Sequence, residues 1–355
     1  MQSLDEKSWN EFYLNDIFGF KLAKGDNQPK NMNQGRIPVV SAGETNNGVT
    51  AFVSNPDEGS VFQSGTVTVD MFGKAFWHGY DYCAVSHGRV NILDLNAPNN
   101  SGQFISTCID EGTISKYSYN QMCSQKRLTR QKVMLPVTDS GEPDYEYMAE
   151  YTRQKRETML DKYRKYVEAH IAELGELVEI PTLDGKEWNH FRMPEIFGLI
   201  QRGKRLKNAD HVPGIVPYVS STANNNGVDD YIEATPGTRA FGDCISLANS
   251  GSVGTAFYEP FEYVASDHVT ALKTEGMSKY VYLFLTSTIE KQGSNFNFNR
   301  EINDARIKNM QIMLPVTDSG EPDYAYMEQY AKNMMLRKYQ QYLEFINRQN
   351  VTEVE

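Results

Sequence analysis

The chain has 355 residues, of which 40% are hydrophobic and 12% aromatic, and its formal net charge is −11 at pH 7. This length is typical of two domains, and the composition excludes an intrinsically disordered or collagen-like protein. No apolar run approaches the roughly 18 residues of a membrane helix, and the first residues are too polar for a signal peptide. We therefore predict a cytoplasmic protein that does not contact a membrane.

The sequence is a tandem repeat. Residues 134–148 recur as residues 313–327 with 14 identities in 15 positions, at an offset of 179 residues. The same offset maps Trp9 onto Trp188 and Ile17 onto Ile196. A repeat this long is a domain and not a solenoid unit. The two copies match at their ends and diverge in residues 54–130 and 233–309, which predicts a shared frame that carries two different recognition surfaces.

In chain order, each copy opens with a short strand and a helical turn, and strand-like runs separated by clusters of Gly, Asn and Ser follow. The alternation in Thr66–Phe72 is typical of a half-buried strand. The predicted strands are Ile37–Ser41, Val49–Val53, Thr66–Phe72 and Val90–Leu95 in the first copy, and Ile215–Val219, Cys244–Ala248 and Val269–Leu272 in the second.

Three segments have helical spacing of apolar residues. One is Tyr280–Ile289, and the other two follow the repeated block, where Pro143 and Pro322 suit a helix start. We expect the first of these long helices to run from Asp144 to Leu174. The fold class predicted is α+β: two β-rich domains related by internal duplication, each followed by a long helix, with the two helices paired as an antiparallel coiled coil. The alternative is that each helix caps its own domain.

Motifs for common chemistries are missing from the sequence. It contains no P-loop, no GxGxxG after a strand, no HExxH and no GxSxG, and its six histidines have no metal-ligand spacing. The four cysteines form no CxxC pair, so we expect free thiols and no zinc site. We therefore predict no catalytic residue, no metal and no cofactor; a hydrolase without a recognisable motif remains an alternative.

The negative charge lies largely outside the middles of the two copies. Residues 20–133 carry 11 Lys and Arg against 9 Asp and Glu, whereas residues 139–179 carry 6 against 11. A basic face on each copy is thus allowed, and Lys, Arg, Ser and Asn are side chains that contact phosphates and base edges. The residues predicted to contact nucleic acid are Lys24, Lys30, Arg36, Asn46, Asn47, Lys126, Arg127, Arg130, Lys204, Arg205, Lys207, Ser221, Asn224, Asn225, Asn226, Asn297, Asn299 and Arg300. The alternative is that Asn-Gly marks ordinary hairpin turns inside a solvated rim of charges.

The chain resembles the specificity (S) subunits of type I restriction–modification systems and the related type IIB, BcgI-like subunits. The residues that carry the resemblance recur in register in both copies: Trp-x-x-Phe from Trp9 and Trp188, Ile-Phe-Gly, a Val-Ser segment followed by Asn-Gly-Val, and a closing Leu-Pro at Leu135 and Leu314. The resemblance implies target recognition domains at residues 1–138 and 183–317, with conserved spacer helices at residues 139–182 and 318–355.

The resemblance also implies a function. Such a subunit has no catalysis of its own; it chooses a bipartite, asymmetric site in double-stranded DNA for adenine methyltransferase (M) subunits, expected in two copies, which use S-adenosylmethionine. Whether a restriction (R) subunit joins stays open. Tyrosines on the long helices are predicted to bind the partner, with packing between the helices as the alternative. They are Tyr151, Tyr163, Tyr166, Tyr330, Tyr339 and Tyr342. A tandem β-rich module for glycans or proteins is the competing hypothesis of another class.

Overall fold

The computed structural model describes residues 2–23, 28–54, 56, 60–85, 89–95, 101–113, 115–293 and 300–352. It contains two compact units, Met1–Tyr163 and Arg164–Glu355. The elements of the first copy are β1 (Trp9–Tyr13), α1 (Leu14–Ile17), β2 (Phe18–Leu22), β3 (Gln34–Val40), β4 (Val49–Val53), β5 (Val61–Phe62), β6 (Thr66–Asp70), β7 (Ala75–His78), β8 (Tyr82–Ala84), β9 (Val90–Leu95), α2 (Gly102–Thr113), α3 (Gln125–Leu128), β10 (Lys132–Pro136) and α4 (Tyr145–Leu174).

The second copy repeats this order element by element. Its elements are β11 (Trp188–Arg192), α5 (Met193–Ile196), β12 (Leu199–Arg202), β13 (Pro213–Val219), β14 (Val228–Ile232), β15 (Ala240–Phe241), β16 (Cys244–Ala248), β17 (Ala256–Glu259), β18 (Tyr263–Ala265), β19 (Val269–Lys273), α6 (Lys279–Gly293), α7 (Asp304–Asn309), β20 (Gln311–Pro315) and α8 (Tyr324–Thr352). The predicted α+β class, with a long helix after each β-rich domain, is confirmed.

Each domain has the same three sheets. In the first domain their strand orders are β1-β10, β2-β9-β6-β7 and β4-β3-β8-β5, and in the second β11-β20, β12-β19-β16-β17 and β14-β13-β18-β15. The strands β3 and β8 pair in parallel, as do β13 and β18, whereas the other pairs are antiparallel. Even the irregularity between β3 and β4 recurs between β13 and β14. The middles have therefore diverged in sequence while keeping one topology.

The strand β6 differs from its predicted environment. It ends at Asp70, and all five of its residues are buried, so the expectation of a half-buried strand is wrong. Val67 and Val69 join the core that α2 covers, while on the other face Thr66 bonds to the hydroxyl of Tyr82 over 2.8 Å. The alternation of apolar and polar residues thus reflects two covered faces, one apolar and one hydrogen-bonded.

The long helices begin at capping aspartates. An oxygen of Asp144 accepts the backbone N–H of Tyr147 over 3.0 Å, and Asp323 does the same for Tyr326. The helix α4 accordingly starts at Tyr145, one residue later than predicted, because Asp144 is the cap and not the first helical residue. The helix α8 starts at the equivalent Tyr324. The other oxygen of Asp144 binds Lys7 over 2.7 Å, which fastens the helix start to the beginning of its domain.

The end of α4 packs against α8 within the second unit. Ile171 and Leu174 share a small apolar cluster with Leu336 and Tyr339. Just beyond α4, the side chain of Asn333 bonds to both backbone groups of Val178. The rings of His170 and Tyr339 lie 6.0 Å apart. Residue numbers therefore rise from His170 to Val178 along one segment while they fall from Tyr339 to Asn333 along α8. This part of the pairing is therefore antiparallel. Among the described residues, no helix is both long and apolar enough to cross a membrane.

Candidate nucleic-acid interface

Loops converge at one end of the second domain. The strands β12, β13, β16 and β18 all end there, because β13 and β18 are parallel and the start of β19 pairs with the ends of β12 and β16. Backbone hydrogen bonds join the loops: the N–H of Lys204 to the oxygen of Ala265, and the N–H of Ser252 to the oxygen of Ser221. We call this end, made of residues 203–205, 220–227, 249–254 and 266–268, the second loop edge.

Predicted DNA-binding residues lie at this second loop edge. Lys204 and Arg205 are exposed on the segment that leaves β12, and Asn224, Asn225 and Asn226 are exposed on the turn after β13. Arg300, also exposed, stands two residues before Ile302, whose N–H binds the oxygen of Asn249 over 2.9 Å. Residues separated by nearly 100 positions are thus brought to one end of the domain, where they could follow a phosphate backbone.

The first domain has an equivalent loop edge, formed by residues 41–48, 70–74, 89 and 122–127. The backbone of Met71 accepts the N–H of Cys123 and donates to the oxygen of Arg89. An oxygen of Asp70 accepts the N–H of Gly43, which attaches the loop after β3 to the end of β6. Burial raises the pKa of the Asp70 carboxyl, and the backbone N–H groups that it accepts oppose that rise. Asn46, Asn47, Lys126 and Arg127 lie at this first loop edge.

The repeated Asn-Asn-Gly turns need an unusual backbone. Asn46 and Asn47 have φ of 52° and 53°, and Asn225 and Asn226 have φ of 50° and 52°. Asn tolerates this left-handed region better than most side chains, and Gly48, at φ 72°, tolerates it best. A Cβ on Gly48 would also lie 2.9 Å from the oxygen of Ser41. The left-handed backbone therefore explains these residue types in part, and all four asparagines are exposed.

The other predicted residues lie outside the loop edges or make hydrogen bonds within their own domain. Arg36 is on β3 four residues before the strand ends at the first loop edge, which is roughly 13 Å away. Lys30 lies in the short helical turn Pro29–Asn31, and Lys207 immediately precedes the turn Asn208–Asp210. Arg127 donates to the oxygen of Met122 over 2.6 Å, and its repeat counterpart Arg306 donates to Glu301 in the same way. Arg130 follows α3 toward β10. Lys24, Asn297 and Asn299 fall outside the described residues.

Two cationic side chains at the loop edges were not predicted from the sequence. Arg89 is exposed in the first domain, immediately before β9. Arg239 stands before β15 and donates to the oxygen of Arg202 over 2.6 Å at the second loop edge. Each is an isolated arginine between neutral residues, so only its position directly before a strand could have drawn attention to it.

The tyrosines predicted to bind a partner fall into two groups. Tyr151 packs edge-on against Phe104, with ring centroids 5.6 Å apart, and Tyr330 packs against Phe284 with the same geometry. These two rings fasten the long helices to their own domains. Tyr339 is partly buried in the cluster at the end of α4, whereas the more exposed members are Tyr163, Tyr166 and Tyr342. Partner binding by these residues stays a prediction.

The two domains carry different ionisable side chains at one equivalent buried position, opposite the first residues of β6 and β16. His78 ends β7, and its Nε2 lies 2.7 Å from the hydroxyl of Thr68; burial lowers its pKa to about 4. Glu259 ends β17 and accepts the hydroxyl of Ser246 over 2.8 Å; burial raises its pKa to about 7, and that hydrogen bond opposes the rise. His78 is therefore neutral at neutral pH, whereas Glu259 changes charge near pH 7 and is fully neutral only in more acidic solution.

Within the described residues, no group of three His, Cys, Asp or Glu side chains could hold a metal ion. The cysteines are free, and burial raises the pKa of the Cys83, Cys108 and Cys123 thiols to about 11. Such thiols are protonated at neutral pH and are poor nucleophiles.

Comparison with known proteins places the chain in a family. The family model described as type I restriction modification DNA specificity domain matches twice, at residues 6–162 and 185–344. The chain is similar to the specificity subunit S.BcgI of a type II restriction enzyme from Heyndrickxia coagulans, with 28% identity over 92% of this chain and 94% of that protein. Two solved structures are also similar, the type I restriction–modification S subunit of M. genitalium and the HsdS subunit of Thermoanaerobacter tengcongensis. Each is 14% identical to this chain. The first match covers 99% of this chain and 94% of the other, with a TM-score of 0.49. The second covers 96% and 91%, with a TM-score of 0.32. The chain is a member of the restriction–modification specificity subunit family, with two specificity domains.

Proposed function

We propose that this chain reads a bipartite, asymmetric DNA site, one half with each domain, and presents that site to adenine methyltransferase subunits. The observation that carries the proposal is the pair of loop edges. They share a topology and the same Asn-Asn-Gly turn, yet they carry different cations: Arg89 and Lys126 in the first domain, Lys204 and Arg300 in the second. Two readers with unlike side chains on one frame suit a site whose halves differ in sequence.

The frames support docking of the same partner twice. Lys7 binds Asp144 over 2.7 Å, and Lys186 binds Asp323 over 2.8 Å at the equivalent place. The exposed turn Thr138-Asp139-Ser140-Gly141-Glu142 recurs unchanged as residues 317–321. Equivalent surfaces accommodate equivalent subunits, so we propose two methyltransferase copies. These subunits would bind S-adenosylmethionine and carry the catalysis, while this chain selects the sequence. Whether a restriction subunit joins is outside this proposal, and the cytoplasm remains the predicted location.

Binding measurements test the proposal. The purified chain is titrated with fluorescent duplexes of random and genomic sequence, alone and with the methyltransferase partner, at several salt concentrations. We expect weak binding alone, sequence-selective binding by the complex, and an affinity that falls steeply with salt, because phosphate contacts release counterions. A complex that binds every duplex equally at all salt concentrations would contradict the proposal.

A further inference from the structure

A chain of hydrogen-bonded side chains connects the core of the first domain to the first loop edge. Thr68, on the buried strand β6, lies 2.7 Å from Nε2 of His78, and Nδ1 of His78 lies 3.2 Å from the hydroxyl of Tyr80. Tyr80 is 38% exposed, and its hydroxyl has a further side-chain hydrogen bond with Asn47. A buried hydroxyl is thereby connected to an exposed amide at the first loop edge.

The directions of these hydrogen bonds are mutually consistent. His78 is neutral at neutral pH because burial lowers its pKa to about 4, so only one ring nitrogen carries a proton. With that proton on Nε2, His78 donates to Thr68 and accepts at Nδ1 from the Tyr80 hydroxyl. The phenol oxygen is then left to accept from the amide nitrogen of Asn47. With the proton on Nδ1 instead, every bond reverses and the Tyr80 hydroxyl donates to the amide oxygen of Asn47. In either tautomer the bond to Tyr80 fixes which end of the Asn47 amide faces outward.

The second domain has the same turn without this support. The turn rests on an aromatic ring in both domains: a Cβ on Gly48 would lie 3.7 Å from Phe76, and one on Gly227 would lie 3.6 Å from Phe257. The connection between β7 and β8 and that between β17 and β18 have the same length, which aligns Tyr80 with Phe261 and His78 with Glu259. A phenylalanine offers no hydroxyl to the amide of Asn226.

We propose that Tyr80, supported by His78 and Thr68, is a positioning residue that fixes the side-chain amide of Asn47 for contact with a base edge in the first half-site. Asn47 makes the contact, and Tyr80 acts through it. Because the second domain has Phe261 at this place, Asn226 is left to adopt its orientation on binding. This inference rests on the proposed function and adds a specificity-determining residue to one domain only.

The test uses the full chain in complex with its methyltransferase. Tyr80→Phe removes only the hydroxyl of a partly exposed ring, and Tyr13→Phe, on the frame strand β1, is the matched control. The two variants and the wild type methylate a DNA library randomised in both half-sites, and modification-sensitive sequencing gives the preference at each base pair. We expect Tyr80→Phe to weaken discrimination about 5-fold at one base pair of the first half-site, the effect of one lost hydrogen bond. The preferences in the second half-site should stay unchanged, and Tyr13→Phe should match the wild type at every base pair of both half-sites.

A double-mutant cycle separates positioning from general stability. Asn47→Gly removes the amide, and glycine tolerates the left-handed backbone. It should therefore weaken discrimination at the same base pair, and adding Tyr80→Phe should cause no further loss of discrimination. Additive losses, a loss spread over both half-sites, or a Tyr80→Phe profile equal to wild type would overturn the role of Tyr80. A wild-type complex that methylates the library without preference would instead overturn the proposed function, and this inference with it.

Discussion

His78 and Glu259 are the last residues of the equivalent strands β7 and β17. His78 pairs with Thr66 on the neighbouring strand β6, and Glu259 pairs with Cys244 on the neighbouring strand β16. One domain has a base at this buried position and the other has an acid; burial lowers the pKa of the base and raises the pKa of the acid. Their contributions to stability therefore depend on pH in opposite directions.

The second domain should lose stability as the solution becomes less acidic. The pKa of Glu259 is about 7 in the folded protein, above the ordinary glutamate value of 4.5, so its stabilisation is complete below pH 4.5 and is lost as the pH rises through 7. The whole difference corresponds to roughly 3 kcal/mol. Glu259→Gln, which keeps an acceptor for Ser246, should abolish this loss. Hydrogen-exchange protection of peptides from residues 188–315, measured between pH 4 and 8, tests it; equal pH profiles for variant and wild type would refute it.

The first domain should behave in the opposite way. The pKa of His78 falls from 6.5 to about 4 on folding, so its stabilisation is present above pH 6.5 and is lost as the pH falls through 4. Protection of peptides from residues 9–136 in the same experiment should fall toward acid, again by roughly 3 kcal/mol over the full range. Protection that stays level between pH 7 and 4 would show that His78 is charged in the folded protein.

The frame ion pairs should contribute equally to the two domains. Lys7→Met and Lys186→Met each free a partly buried aspartate that caps a long helix, and each should lower the free energy of unfolding by about 1–2 kcal/mol in urea. Lys132→Met breaks an exposed pair with Glu11 and should cost less than about 0.5 kcal/mol. A cost for Lys132→Met as large as that for Lys7→Met would contradict the importance of the capping aspartates.

Substitutions at Asn226 separate its backbone role from its recognition role. Asn226→Ala places an ordinary side chain at φ 52° and should destabilise the protein by about 1 kcal/mol, whereas Asn226→Gly should leave stability nearly unchanged. Asn226→Gly should nevertheless weaken the sequence preference in the second half-site, because the amide is gone. Thermal unfolding and library methylation give the two readings. A glycine variant with full preference would mean that Asn226 only shapes the turn.

Lys204 and Arg205 should contact phosphates at the second loop edge. Replacing both with Ala should weaken binding of the methyltransferase complex to all duplexes alike. The slope of log affinity against log salt concentration should decrease by roughly 0.9 for each phosphate that the variant no longer neutralises. Lys132→Ala, on the frame, is the control and should leave the slope unaltered. If Lys204 instead reads a base edge, the slope will persist and one base pair will lose its preference.

The sequence predicted the frame and much of the strand pattern. The predicted strands Val49–Val53, Val90–Leu95 and Cys244–Ala248 match the structure residue for residue. The helix α2 was not predicted, since Gly102–Thr113 is rich in Gly, Ser, Thr and Ile, which favour helix weakly. The helix buries Phe104, Ile105 and Ile109 in the core of the first domain. Its first residue approaches Trp77 so closely that a Cβ on Gly102 would lie 2.1 Å from the ring.

The loop edges were beyond sequence reasoning for a different reason. Asn47 and Arg127 lie 80 residues apart, and tertiary hydrogen bonds of Met71 and Asp70 hold their segments at one end of the domain. The equivalence of His78 and Glu259 was hidden as well, because these residues are 181 positions apart whereas the repeat offset is 179. Small length changes in the loops erase such pairs from a sequence comparison.

The central claim is that each domain independently reads its own half of the DNA site. Its most direct test exchanges residues 20–133 for the corresponding segment of another specificity subunit and maps the methylated sequences of the complex by modification-sensitive sequencing. We expect one half of the recognised sequence to change while the other half is retained. A hybrid that folds and methylates but changes both halves, or neither, would contradict the claim.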